Sequence, residues 1–122
     1  MICVENSQDV DPTPLWTLMR RVTDERVRVC LDIGHANCSN SPLEEWFERL
    51  GPYIAYLHLS DNMGSFDDHL PLGGGTVDWR TADSLWRRLG RTVPATLEVG
   101  GTEGVEASLA YLANSGYFGW EV

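Results

Sequence analysis

His58, Asp61, Asp67, Asp68 and His69 fall within a dozen residues of one another, in the stretch AYLHLSDNMGSFDDHLPLGGGTVDW at 55–79. Two imidazoles and three carboxylates at that density are metal-ligand chemistry, because carboxylate oxygen and imidazole nitrogen together suit Mn²⁺, Mg²⁺, Co²⁺ and Zn²⁺. The same residue types recur at one kind of place along the rest of the chain. Glu5 closes the apolar run ICVE, Asp32 lies near the end of VRVCLDI, His58 near the end of IAYLHL and Glu98 near the end of ATLEV.

Those runs read as strands, and each is followed by a helix. Residues 2–5 lead through a polar loop to Thr13, an N-cap with Pro14 in the first helical position, and Leu15, Leu18, Met19 and Val22 form one buried helix face. Residues 27–33 form the second strand. Ser41 then caps a helix with Pro42 at its first position and Glu44 completing a capping box; Leu43, Trp46, Phe47 and Leu50 make its stripe before Gly51. The third strand is 54–59, and after the long loop a helix carries Trp79, Ala82, Leu85, Trp86 and Leu89 up to Gly90. The fourth strand is 95–99, and the last helix carries Val105, Leu109 and Leu112 and ends near Gly116. The chain is thus a single domain, 1–122, of four βα units at approximately 1–26, 27–53, 54–94 and 95–122.

Alternating strands and helices imply parallel strands joined by right-handed crossovers. Side chains alternate along a strand, so Cys3 shares a face with Glu5, Cys30 with Asp32, Tyr56 with His58, and Thr96 with Glu98. Sites in parallel α/β folds are built at the carboxyl ends of the strands, where Glu5, Asp32, His58 and Glu98 all lie. Any one of them alone reads more readily as a loop anchor or a helix cap. Their recurrence at equivalent positions in successive units is what points to a common site. All three histidines fall in loops or at strand ends rather than on helix faces, His35 coming just after Asp32 and a glycine. Most of the tryptophans read as helix packing. Gly73-Gly74-Gly75 could present backbone N–H groups to an anion, but no GxGxxG or Walker spacing accompanies it.

Composition narrows the classes. A net charge of −9 over 122 residues repels nucleic acid and anionic membranes. All nine basic residues are arginines, which excludes Schiff-base lysine chemistry and a P-loop. Three cysteines without CxxC spacing fit a reducing cytoplasm, and neither a signal peptide nor a membrane span is indicated.

The segments ICVEN, CLDIGHAN, YLHLSDN with DDHLPLGGGTVDW, and TLEVG, in that order, resemble the carboxyl-terminal half of the sugar phosphate isomerase/epimerase family. That family has the xylose-isomerase-like TIM barrel and includes relatives of the apurinic endonucleases. The resemblance implies a divalent ion (Mn, Mg, Co or Zn) held by Glu5, Asp32, His58 and Glu98, and substrate contacts from His35, Asn6, Asn37 and Asp61. It also implies an additional metal at Asp67 and His69, as in the endonuclease branch. The implied reaction is isomerisation or epimerisation of a sugar or sugar phosphate. Glu5 and Glu98 would remove and return a proton on opposite sides of a carbon, through a metal-bound enediolate. Multi-zinc phosphodiester hydrolysis is the alternative enzyme reading, and a metal- or sugar-binding half-barrel or assembly module the non-enzymatic one.

The family's barrel has eight βα units and this chain shows four. Four parallel strands leave two open edges and an uncovered inner face, so half of a TIM (β/α)8 barrel calls for completion. A homodimer matches four plus four. A separate amino-terminal half is a second solution, and a truncated relic a third.

Overall fold

The computed structural model describes residues 1–120, so the last two residues of the fourth unit lie outside it. Its four strands are β1 (Ile2–Glu5), β2 (Val27–Asp32), β3 (Ile54–Leu59) and β4 (Ala95–Leu97), all parallel and hydrogen-bonded in sequence order. The helices are α1 (Thr13–Arg21), α2 (Ile33–Asn37), α3 (Leu43–Leu50), α4 (Trp79–Arg88) and α5 (Gly101–Ser115), with 3₁₀ turns at Gly51–Tyr53 and Tyr117–Gly119.

Alternation along the strands divides the sheet into two unlike faces. The outward row Val29, Leu31, Leu57 and Leu59 is buried under the helices with Met19, Trp46, Phe47, Leu50 and Ala82. The opposite row carries Cys3, Glu5, Tyr56, His58 and Thr96 and is open or half-open. Among the described residues no helix is long and apolar enough to cross a membrane.

Several local expectations are corrected. Pro12, not Thr13, is the N-cap of α1, because its carbonyl already accepts the Trp16 N–H at 2.9 Å; Thr13 lies in the first turn and gives its N–H to Asp11 Oδ1 at 2.7 Å. Pro42, not Ser41, caps α3, with its ψ extended and no side-chain bond, so the Ser41/Glu44 capping box does not form. The serine used there is Ser39, whose Oγ accepts from Ser41 N and from Trp46 Nε1. Strand β2 stops at Asp32 and β4 at Leu97, each shorter than the apolar run suggests. The buried positions of α5 are Gly104, Ser108 and Leu112; Leu109 is 37% exposed, on a groove beside β4 with Leu97 and Trp120. On α1, Leu18 is likewise exposed.

The long β3–α4 loop is organised by one carboxylate. Asp61 is fully buried and accepts from Asn62 N, Gly73 N, Val77 N and Trp79 Nε1 at 2.8–3.0 Å. Gly73, at φ +85°, turns its N–H onto Asp61 Oδ2, and a Cβ at Gly75 would be driven into the Asn62 carbonyl and the Asp61 carboxylate. The glycine run is therefore an inward wrap around a carboxylate rather than an anion cradle. Asn62, also buried, gives Nδ2 to the Gly34 carbonyl and accepts from Asn37 Nδ2 and Gly64 N, tying the loop to α2.

Replacing Asp61 by alanine strands four donors, three of them buried, and a loss of at least about 3 kcal/mol of unfolding free energy is expected in urea titrations. Asp68→Ala, on the exposed rim of the same loop, should change it by less than about 0.5 kcal/mol.

Candidate metal centre

Each of the four residues reaches the centre by a different strand end. Glu5 ends β1, Asp32 ends β2 and pairs in register with His58 on β3, and Glu98 follows β4, its N–H donating to the Leu59 carbonyl at 2.9 Å. Their ligand atoms all lie within 4.8 Å of one another. The focus is His58 Nδ1, which stands 3.1 Å from Glu5 Oε1, 3.4 Å from Glu98 Oε2 and 3.7 Å from Asp32 Oδ2.

One ring nitrogen can offer at most one proton to three carboxylates. The arrangement therefore fits a cation seated among four ligands better than a self-contained hydrogen-bond network, and oxygen and imidazole ligands suit a divalent ion. Asp32 registers the crowding. It is 1% exposed, and its pKa is pushed up to about 6 by burial, opposed by the His35 N–H and the charge of His35 and reinforced by the neighbouring Glu5. Cys30, one step below on the same face, is pushed up to about 12 by burial and by the Glu5 and Asp32 charges, which keeps its thiol protonated and inert.

Asp32 combines the two readings that its position allowed. Its Oδ1 caps α2 by accepting the His35 N–H at 2.8 Å, and its Oδ2 faces the site. Helix α2 was not apparent in the sequence because its five residues are too few for periodicity to register. It places His35 on a helix, correcting the expectation that every histidine lies off the helices. His35 Nδ1 meets the Asn6 carbonyl at 2.7 Å and Nε2 meets Asp67 Oδ2 at 2.9 Å. Both partners are acceptors, so both ring nitrogens must donate. Burial pulls the His35 pKa down, but the Asn6 carbonyl, Asp32 and Asp67 outweigh it and the net shift is upward.

His69, at φ +54°, turns its ring back so that Nε2 lies 2.9 Å from the same Asp67 Oδ2. That hydrogen bond, opposed by burial, raises its pKa. Burial pushes Asp67 up, yet the bonds to His69 and His35 hold it below the usual carboxylate range. Asp67 and His69 thus join His35 as a satellite outside the four-residue cluster, while Asp68 is exposed beside them.

Three residues expected to meet substrate are used otherwise. Asp61 is sealed under its own loop, with protein donors on both oxygens. Asn6, 1% exposed, clamps the backbone of Asp32 by donating Nδ2 to its carbonyl and accepting its N–H. Asn37 is partly buried and gives Nδ2 to Asn62 Oδ1 and Thr76 Oγ1. Of the expected contacts only His35 borders open space, a cleft of about 380 Å³ that also touches Ser7, Ser39, Phe66 and Asp67. Ser7, Ser39 and Phe66 gave no signal in the sequence, because isolated polar or aromatic loop residues have no pattern to betray them.

The xylose isomerase-like TIM barrel family matches residues 1–115. A D-tagatose 3-epimerase-like protein of known structure superposes with a TM-score of 0.83 at 24% identity, covering 93% of this chain and 45% of that one. A protein from Thermus thermophilus, its crystals soaked with zinc chloride, is 28% identical, with a TM-score of 0.61 over 90% of this chain and 42% of that one. An uncharacterized protein of Methanocaldococcus jannaschii is 31% identical over 72 residues, which are 57% of this chain and 25% of that protein. The chain therefore spans about half the length of the structures it matches, and four parallel strands alternating with helices correspond to half of such a barrel.

In metal-free protein the raised Asp32 pKa means that the folded state holds a proton the unfolded state has released. Stability from this group is thus present at low pH and lost as pH rises through the window from about 4 to about 6. Asp32→Asn should accordingly stabilise the metal-free chain by about 1–3 kcal/mol at pH 7, and the gain should vanish below pH ~4. Paired urea titrations across pH check both.

Proposed function

The chain belongs to the xylose isomerase-like TIM barrel family, and on that premise we propose that it is one half of a divalent-metal-dependent isomerase or epimerase of a sugar or sugar phosphate. The observation that carries the reading is the convergence of Glu5, Asp32, His58 and Glu98 at four strand ends. When bound there, a divalent ion would polarise a carbonyl and make the adjacent C–H more acidic. Glu5 and Glu98 come from β1 and β4, the two edges of the sheet, and reach His58 Nδ1 from opposite flanks. One removes a proton from the carbon between them and the other returns it on the far side. His35, held by Asn6 and Asp67 through both ring nitrogens, presents its ring to substrate at the edge of the cleft.

Completion of the barrel is part of this reading. Among the described residues the inner face and both edge strands lie open, and a second copy of the chain, or a separate amino-terminal half, would supply four more strands. Light scattering on purified chain tests the first solution: a mass of two chains is expected, and a monomer with a native far-UV spectrum would point to the separate half.

Calorimetric titration of metal-free protein with Mn²⁺ should show one ion per chain, lost in Asp32→Ala. With excess Zn²⁺ a second, weaker event is expected at His35, Asp67 and His69, removed by Asp67→Ala. Glu98→Gln should retain most metal affinity while turnover of a ketose falls by about 10²–10⁴. Absence of Mn²⁺ binding would sink the metal-dependent reading, and full turnover in Glu98→Gln would remove it from the proton transfer.

A further inference from the structure

We propose that Ser60 is a positioning residue of the metal centre: in the metal-loaded protein its hydroxyl donates to Asp32 Oδ1 and so holds Oδ2 toward the ion. The inference rests on the metal-dependent reading above and adds a residue to it. Ser60 comes directly after β3, two residues beyond His58. The residue is 1% exposed, and its Oγ has no hydrogen-bond partner among the described residues. A buried hydroxyl in that state costs stability, because folding removes its water and puts nothing in its place. Most buried polar groups are paired, and an orphan of this kind points to a use outside the resting fold.

Gly34 shows where that use lies. A Cβ added to Gly34 would stand 2.5 Å from Ser60 Oγ and 3.2 Å from Asp32 Oδ1. The hydroxyl and the carboxylate therefore border one space, which the missing side chain of Gly34 keeps open, and any larger residue there would press on the hydroxyl. Asp32 Oδ1 has capacity to spare. It accepts the His35 N–H at 2.8 Å, and a carboxylate oxygen has lone pairs for two donors. Ser60 supplies an O–H on which the described residues make no other claim. In the metal-free chain Asp32 Oδ2 lies among the ligand atoms of Glu5 and Glu98, whose charges repel it. Once a cation offsets that repulsion, two donors on Oδ1 fix the plane of the carboxylate and leave Oδ2 as the atom it presents to the site. Hydrogen-bond partners of metal ligands commonly govern affinity by about 10–100-fold.

The test has two readouts, neither of them turnover: calorimetric titration with Mn²⁺, and urea unfolding of the metal-free protein. Both are run on the wild-type chain, Ser60→Ala and Ser60→Cys. Ser60→Ala is expected to weaken Mn²⁺ binding by about tenfold or more. Its metal-free form should unfold at the same urea concentration or a higher one, since the group removed is unpaired. Ser60→Cys, close in size but a weaker donor, should fall between the two in affinity. A serine needed only for packing would show the reverse, lower stability with unchanged affinity. Unchanged Mn²⁺ affinity in Ser60→Ala overturns the inference and leaves the metal-dependent reading standing. So does a loss of affinity matched by a loss of metal-free stability, which would mark a general loosening of the strand ends. If the wild-type chain itself takes up no Mn²⁺, the metal-dependent reading fails and the inference falls with it.

Discussion

Three carboxylates converge on one imidazole nitrogen, and most of the remaining structure serves to keep them there. Left to themselves Glu5, Asp32 and Glu98 would separate, because like charges at these distances repel and Asp32 is cut off from water. What opposes separation is backbone pairing. Parallel hydrogen bonds fix β1 to β2, β2 to β3 and β3 to β4, so the carboxyl ends of the strands move as one body. The buried outer row of Val29, Leu31, Leu57 and Leu59 then anchors that body to the helices. Repulsion at the strand ends is carried by packing on the opposite face, and relief of it is the contribution expected of a bound cation.

Around this cluster lies a shell of side chains whose partners are mainly backbone. Asn6 grips Asp32 through both of its amide atoms, the Asp32 carboxylate caps α2, and α2 in turn presents His35. Asn62 grips the other side of α2 through the Gly34 carbonyl, and Asp61 beside it gathers the loop that carries Asp67 and His69. Two buried side chains thus set the position of a loop that contributes to the site without touching it themselves. Side chains held by backbone in this way have few alternative rotamers, the condition under which a constellation of ligands stays preorganised.

The architecture and the cluster were legible in the sequence for the same reason. Period-2 alternation in ICVE, VRVCLD and IAYLHL identifies both the strands and the face on which Glu5, Asp32 and His58 emerge, and the parallel rule brings those ends together. The roles of the loop polar residues were not legible, because Asn6 and Asp61 have the right chemistry at the right place along the chain but point into the protein, and Asn37 gives its amide to Asn62 and Thr76. A buried asparagine that clamps a strand and an exposed one that meets a hydroxyl are the same letter in the same loop. Burial decides between them, and in loops burial leaves no periodic trace. The helix caps failed differently. Pro12 and Pro42 take the cap position themselves, so the neighbouring Thr13 and Ser41 lose the geometry that their identity suggested.

The open face of the sheet bears on how a barrel would be completed. The interior of a TIM barrel is ordinarily filled by branched apolar side chains in layers. Here the layer beneath the cluster is Cys3, Cys30, Tyr56 and Thr96, with the Tyr56 hydroxyl 2.8 Å from Thr96 Oγ1. Such a row mixes one aromatic ring and two thiols with hydroxyls, and covering it would gain less from apolar burial than a layer of branched apolar chains. The stronger claims on a neighbour come from the edges. Among the described residues the outer edges of β1 and β4 have no neighbouring strand, and beside β4 lies a groove lined by Leu97, Leu109 and Trp120. Association with another four strands would therefore be driven by strand pairing and by apolar burial at the β4 groove. The centre, with Glu5, Asp32, His58 and Glu98, would stay polar.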